Sequence, residues 1–298
     1  MIPPDILCIG SVLWDIIGRT ENDIDSRGDV PGQITRLPGG VAMNIAMTLV
    51  RLGMRPALLT SIGCDPEGNE LVAAAEAMGL DLRHAHRDPA LPTDRYMAIE
   101  DRDGLVAAIA DARSLEAAGE AILAPLEDGR LGSAARPWAG PVALDGNLTI
   151  ALLTTIAQSP LFAQADLRVA PASPGKAERL RPLMAHPGTT LYVNRQEAGL
   201  LTGTLFASSR EAAEGLVAAG ATRALVTDGA RDTSDAQRSA ETLTLPAQHV
   251  RARRVTGAGD TFMAAHLNAE TRGADRAGAL ARAQAAAAAY VAYLEDTA

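Results

Sequence analysis

Arg254-Val255-Thr256-Gly257-Ala258-Gly259-Asp260-Thr261-Phe262 stands directly before Met263 to Glu270, a run whose composition and spacing predict a helix. Two glycines let the backbone approach a ligand closely, and the free N–H groups of a helix's first turn point at whatever lies ahead of it. Such a turn is an anion cradle. The positive end of the helix dipole stabilises charge that builds on a transferred phosphoryl group, and Asp260 stands where a carboxylate takes a proton from an attacking hydroxyl. The plain alternative is an ordinary glycine-rich helix start with Asp260 as a cap.

Along the rest of the chain, short β-rich runs alternate with helical segments. Strands are expected at Ile6–Ile9 and at residues 57–61, 142–144, 191–193 and 224–227. Helices are expected at residues 41–52, 66–78, 174–186 and 209–219, with two closing helices from about Gly259 and Asp275. This alternation predicts an α/β fold, a three-layer α/β/α arrangement around a mostly parallel central sheet. Two segments break it. Residues 12–37 are polar and turn-rich, and residues 95–110 read as a hairpin with arms at 96–100 and 105–110, joined across Asp101-Arg102-Asp103-Gly104. Together they predict a small β lid, from segments at about 12–37 and 95–111, on one domain that spans residues 1–298.

Composition narrows the ligand. A length of 298 residues accommodates one large α/β domain, and aromatic residues make up only 3%, which suits helix-on-sheet packing better than an aromatic-lined groove. The formal net charge of -9, without a long basic run, argues against a nucleic acid or an anionic membrane as partner and leaves a small molecule. Cys8 and Cys64 lack the spacing of a disulfide framework or a zinc site. The opening Met1-Ile2-Pro3-Pro4-Asp5 lacks the basic and apolar regions of a signal peptide, so a cytoplasmic protein is expected. The Ala-rich stretch at residues 277–294 carries Arg282 and Gln284 and is read as a buried helix, not a membrane span.

The run Thr256-Gly257-Ala258-Gly259-Asp260-Thr261-Phe262 resembles the second signature of the PfkB, or ribokinase-like, carbohydrate kinases. Leu37-Pro38-Gly39-Gly40-Val41-Ala42-Met43-Asn44-Ile45-Ala46, followed by Leu52-Gly53 and Ser61-Ile62-Gly63-Cys64-Asp65-Pro66-Glu67-Gly68, resembles the first. The resemblance implies that Gly257, Ala258 and Gly259 form the anion hole, that Asp260 is the catalytic base, and that ATP is the phosphoryl donor, with Thr256 beside it. Asn194-Arg195-Gln196-Glu197 is similar to the family's Asn-x-x-Glu motif, which implies Asn194 near the nucleotide and Glu197 as an acid that helps hold hydrated Mg²⁺. On spacing alone, without the resemblance, Glu197 reads as a first-turn helix acid. Thr227-Asp228-Gly229 sits where the family has a nucleotide-contacting turn, which implicates Thr227 and Gly229; Arg231-Asp232-Thr233 stands where a further glycine is usual. A monovalent cation such as K⁺ is left open.

On the acceptor side the resemblance implies Asp15 as the acid that grips substrate hydroxyls, Gly39 and Gly40 as a hinge, and Asn44 as a neighbouring hydroxyl contact. A carboxylate accepting from vicinal hydroxyls is a sound sugar clamp. Without the resemblance, Asp15 reads as a strand-end acid and Asn44 as a helix-face polar residue. Segments around Gly40 to Ala46, Ala107 to Asp111, Leu144 to Leu148 and Pro171 to Lys176 are similar to the pseudouridine kinase branch, although Ala170 replaces an expected aspartate. That similarity implies Asp111 and Asn147 near the acceptor and Lys176 near the phosphates. Their plain readings are a strand-end acid, a turn asparagine and a solvated lysine.

Expected, then, is a kinase acting on the 5′-hydroxyl of a nucleoside, foremost pseudouridine, and pairing through its lid as a homodimer. A sugar kinase of the same family and a non-catalytic nucleotide or sugar sensor are the rivals. A dinucleotide-dependent oxidoreductase is disfavoured, because Ile6–Ile9 runs into Gly10-Ser11-Val12-Leu13-Trp14 and not into a Gly-x-Gly-x-x-Gly turn.

Overall fold

The computed structural model describes residues 3–24, 28–102, 104–251 and 255–292, so Arg254, Asp103, Leu294 and part of the first lid segment lie outside the described residues. In chain order the elements begin β1 (Ile6–Ile9), β2 (Leu13–Arg19), β3 (Gln33–Gly39), α1 (Val41–Arg51), β4 (Pro56–Leu59), β5 (Ser61–Gly63), α2 (Pro66–Ala77) and β6 (His86–Asp88). Next come β7 (Arg95–Asp101), β8 (Gly104–Asp111), α3 (Arg113–Ala118), α4 (Ala124–Glu127), β9 (Pro141–Asp145), α5 (Ile150–Gln158), β10 (Asp166–Ala170) and β11 (Thr189–Asn194). The chain closes with α6 (Arg195–Thr202), α7 (Ser209–Ala218), β12 (Arg223–Thr227), β13 (Thr233–Gln237), β14 (Leu243–Leu245), α8 (Ala258–Thr271) and α9 (Arg276–Ala292).

Successive side chains of a strand point to opposite faces, so in β1 Leu7 and Ile9 enter one apolar core while Ile6 and Cys8 enter the other. Residues of α5, α6 and α7 fill the first core, and those of α1, α8 and α9 the second. The sheet between them runs β14-β13-β12-β11-β10-β9-β1-β4. Its strands from β4 to β12 are parallel, and β13 and β14 add an antiparallel edge. This is the α/β sandwich expected from the alternation.

Three local expectations are corrected. Residues 57–61 do not form one strand: β4 ends at Leu59, and β5 pairs with β6 in a separate two-stranded sheet. Pro174–Leu183 is a 3₁₀ helix and not an α-helix, because Pro182 lies inside it and cannot donate to the helical ladder. The strands β10 and β13 have no counterpart in the pattern reading, since Asp166, Arg168, Ser234 and Asp235 interrupt any apolar run.

A second sheet, β3-β2-β7-β8, projects from the sandwich. It joins residues from the two segments that broke the alternation. Helix α2 carries its base: the Trp14 indole N–H donates to the Glu67 carbonyl at 3.0 Å, Arg95 pairs with Glu67 at 2.8 Å, and Arg36 lies 4.2 Å over Trp14 while pairing with Glu70. Among the described residues, no helix is long and apolar enough to cross a membrane.

Candidate active site

The turn before α8 is a left-handed one. Gly257 sits at φ 87°, and a Cβ there would overlap the Tyr290 hydroxyl, so only glycine fits. The Ala258 amide turns back to the Val255 carbonyl at 3.0 Å, and the Thr261 amide donates to the Gly257 carbonyl at 3.0 Å. Among the described residues the amides of Gly257, Gly259 and Asp260 have no protein acceptor, as is usual for the first turn of a helix. The Thr256 carbonyl accepts from Tyr290 at 2.8 Å.

Asp260, in the first turn, accepts from the Asn44 side-chain amide at 2.9 Å, across 216 residues of chain. Burial pushes its carboxyl up to about 7; the Asn44 hydrogen bond opposes the rise, and the charges of Asp145, Asp15 and Glu197 add to it. Four acids thus share one electrostatic neighbourhood although they come from β2, β9, α6 and α8. Asp15 stands on β2 opposite Leu37 and Tyr96, and burial lifts it to about 6. The backbone of Gly39 lies so close to the Asp15 carboxylate that a side chain at that position would overlap it. Gly40 is the cap residue of α1, one turn before Asn44, and its N-terminal amides face the same end of the sheet.

Beneath this layer is a hub in which Ser11 and Asp145, which sequence reasoning missed, meet the predicted Asn147 and Lys176. Asp145, fully buried at the end of β9, accepts from the Ser11 amide (2.7 Å), the Ser11 hydroxyl (2.9 Å), the Ala42 amide (3.1 Å) and the Asn147 amide (2.7 Å). Burial still raises its pKa against those four donors. The Ser11 hydroxyl also accepts from the Val41 amide at 2.9 Å and from the Asn147 side chain at 2.8 Å. Lys176 donates to the Asn147 side-chain oxygen at 2.6 Å, and burial lowers its pKa. A continuous chain of hydrogen bonds therefore runs from Lys176 to the start of α1. The one signal available for it was positional, since Ser11 and Asp145 both stand at or just past the C-terminal ends of parallel strands.

Asn194 and Glu197 form a capping box: the Glu197 amide donates to the Asn194 side chain at 2.9 Å, and the Asn194 amide donates to Glu197 Oε2 at 2.8 Å. The first-turn reading of Glu197 is therefore what the local geometry shows. Its carboxylate is nevertheless buried, raised by burial, and close enough to Asp260 to act on it. Among the described residues no cluster of three or more His, Cys, Asp or Glu could cage a metal ion. The donor set suits an ion that keeps its water and meets Glu197 indirectly. Thr227 ends β12 in register with Asn194, which sets the two predicted nucleotide contacts side by side. Gly229 adopts φ 60° with open space around it, and Asp228 pairs with Arg195 at 3.0 Å and Arg231 at 3.5 Å.

Asp111 is not brought into this group. It lies at the end of β8, its carboxylate held by Arg113 at 2.7 Å, and no contact joins it to Asp260, Asn44 or Asp145 among the described residues. Trp14, one of two aromatic residues near the acceptor side, is buried and bonded to Glu67, which leaves Tyr96.

Comparison with known proteins bears on the family and the fold. The profile of pfkB family carbohydrate kinases matches residues 3–298. A pseudouridine kinase of Escherichia coli (strain K12) is 27% identical over 210 residues, 70% of this chain and 64% of that relative, so the match spans less than two thirds of the relative's length. Among solved structures, a carbohydrate kinase from Agrobacterium tumefaciens is 28% identical, with TM-score 0.78 over 95% of this chain and 89% of that one. An Arabidopsis thaliana ribokinase, solved with ribose and ATP, shares the fold at 18% identity, with TM-score 0.74 over 97% of this chain and 93% of that one.

Proposed function

The chain belongs to the pfkB family of carbohydrate kinases, phosphotransferases that act on sugar or nucleoside hydroxyl groups, and on that basis we propose that it phosphorylates the 5′-hydroxyl of a nucleoside, foremost pseudouridine. The observation that carries the catalytic reading is the 2.9 Å bond from Asn44 to Asp260, which joins the two family-like motifs at one carboxylate. In this reading Asp15 accepts from the acceptor's ring hydroxyls, Gly39 and Gly40 let the backbone close on them, and Asn44 holds Asp260 in position. Asp260 takes the proton of the attacking hydroxyl, and a pKa of about 7 suits a base at neutral pH. Amides of Gly257, Gly259 and Asp260 then stabilise the charge that develops on the transferred group. Asn147 is assigned to the acceptor side and Lys176, which donates to its side-chain oxygen, to the phosphates, while Thr227, Gly229, Asn194 and Thr256 are assigned to the nucleotide.

ATP is the phosphoryl donor in this reading, and Glu197 would help hold a hydrated Mg²⁺, which would neutralise phosphate charge. The pseudouridine assignment rests on similarity along the chain to the E. coli enzyme. A coupled ADP-release assay with pseudouridine, uridine, adenosine, ribose and fructose 6-phosphate tests it. Preference for pseudouridine is expected, and equal or better turnover of ribose transfers the assignment to a sugar. The sugar reading has one observation in its favour: Trp14 is buried, so among the described residues of the two lid segments Tyr96 is the aromatic left to face a base. Running the same assay in K⁺ and in Na⁺ reads any monovalent-cation requirement.

The projecting sheet bears exposed apolar side chains on its outer strands, Ile34 at 78% and Ile109 at 70% exposure, which supports a homodimer formed through the lid. Sedimentation of wild type against Ile34→Glu/Ile109→Glu tests it, a monomeric wild type being the adverse result. Two free cysteines, Cys8 and the exposed Cys64, support a reducing, cytoplasmic setting, which fractionation of cells carrying a tagged chain checks.

A further inference from the structure

We propose that Tyr290 is a positioning residue for phosphoryl transfer: its hydroxyl fixes the peptide unit whose N–H, that of Gly257, belongs to the anion cradle. The inference rests on the kinase reading above. Tyr290 lies near the end of α9, which packs along α8, and its hydroxyl donates to the Thr256 carbonyl at 2.8 Å from 34 residues away in the chain. A peptide unit is planar and trans, so the Thr256 C=O and the Gly257 N–H are parts of one rigid plate and point in opposite directions. Holding the carbonyl therefore aims the amide.

The turn needs such a hold. Val255 and Thr256 are exposed. Among the described residues Tyr290 is the side chain that hydrogen-bonds to this turn's backbone. Gly257 and Tyr290 also specify each other sterically, since a Cβ on residue 257 would overlap the tyrosine hydroxyl. A tyrosine suits the task because only two torsions need fixing and its ring is rigid, so the hydroxyl is presented with little loss of entropy. Without it the left-handed turn keeps its Ala258-to-Val255 bond, but the plate bearing the Gly257 amide is free to rock.

Tyr290→Phe removes the hydroxyl and keeps the ring. Loss of one neutral hydrogen bond that acts on transition-state charge predicts kcat about fivefold to tenfold lower, with acceptor KM and Tm unchanged. Gly257→Ala supplies a second arm. It abolishes most turnover in the wild-type background and costs a smaller factor in the Tyr290→Phe background, because the overlapping hydroxyl is gone. Wild-type kcat in Tyr290→Phe overturns the proposal, as does a fall in kcat accompanied by a matching rise in KM and a lower Tm, which marks a structural residue. Calorimetric ATP binding and the acceptor panel on the unmodified protein separate the two levels of inference. A chain that neither binds ATP nor phosphorylates any acceptor overturns the kinase reading together with this one, whereas wild-type turnover matched by Tyr290→Phe overturns the role of Tyr290 alone.

Discussion

Helix α8 carries an ionic cluster at each end, and the two are built on opposite principles. At its C-terminal end Glu270 pairs with Arg168 at 2.5 Å and Arg223 at 2.7 Å, Arg223 pairs with Asp235 at 2.7 Å, and Arg276 joins Asp235 at 3.2 Å. Burial works against ionisation of Glu270, yet Arg168 and Arg223 hold its carboxyl below the usual range; burial likewise opposes Asp235, and Arg223 and Arg276 outweigh it. His266, buried against Tyr192 and stacked on Phe262, is lowered by burial to about 4 and stays neutral. At the N-terminal end the described residues form no ion pair with the acids, and Lys176, the cation that senses Asp145, is itself lowered by burial. Asp260 and Asp15 are raised to about 7 and about 6, and Asp145 and Glu197 are raised as well. One end has every charge matched and ties the helix to the sheet. The other keeps carboxylates close without ion pairs, which costs stability and leaves a carboxyl, Asp260, that changes protonation state near neutrality.

The largest expected effect breaks the unmatched end. Asp260→Asn should lower kcat by about 10³-fold or more while ATP binding persists, read by turnover and calorimetry. Turnover near the wild-type rate would remove Asp260 from the chemistry. The same variant carries a stability test whose sign follows from the raised pKa. The folded value of about 7 exceeds the ordinary 3.8, so the folded state resists ionisation and the penalty grows as pH rises from about 4 to about 7. Asp260→Asn should therefore melt higher than wild type at about pH 8, with the gain shrinking toward about pH 4.

Next comes the matched end. Glu270→Ala leaves Arg168 and Arg223 with unbalanced buried charge and should cost about 3 kcal/mol in urea unfolding. A loss below about 0.5 kcal/mol would show that the cluster is not a tie at all. The pH profile then sharpens the contrast. Wild-type kcat/KM should rise with pH through about 7 as Asp260 loses its proton, and Asp15→Asn, by removing a neighbouring negative charge, should move that limb to lower pH in the residual activity. An unmoved limb would mean that the two carboxylates do not sense each other. Smallest of all is the exposed Arg36–Glu70 pair at the base of the projecting sheet, where Glu70→Gln should change stability by less than about 0.5 kcal/mol, checked by thermal melts at low and high salt.

Much of the N-terminal end of α8 was legible in the residues. Gly257 and Asp260 stand in a motif whose chemistry demands those types, and Gly39, Gly40 and Asn44 could be matched in the same way. The strands β1, β9, β11 and β12 were legible because their apolar runs are unbroken. By contrast, β10 and β13 were hidden, because the charges inside them find partners far along the chain, such as Glu270 for Arg168 and Arg276 for Asp235. Asp111 matched a family segment in sequence but stands with Arg113 in space. Tyr290 offered no signal, being one of two tyrosines near the end of an alanine-rich stretch.

What the chain alone determined is short-range. Strand alternation, the capping box at Asn194 and the glycine turn at Gly257 depend on residues a few positions apart, whose preferences act before any tertiary contact exists. Only the folded structure decided which carboxylates share one space, that Asn44 reaches Asp260, and that Tyr290 holds the Thr256 carbonyl. A carboxyl's pKa and an amide's aim depend on burial and on neighbours delivered by distant strands and helices, and those are properties of the packed whole.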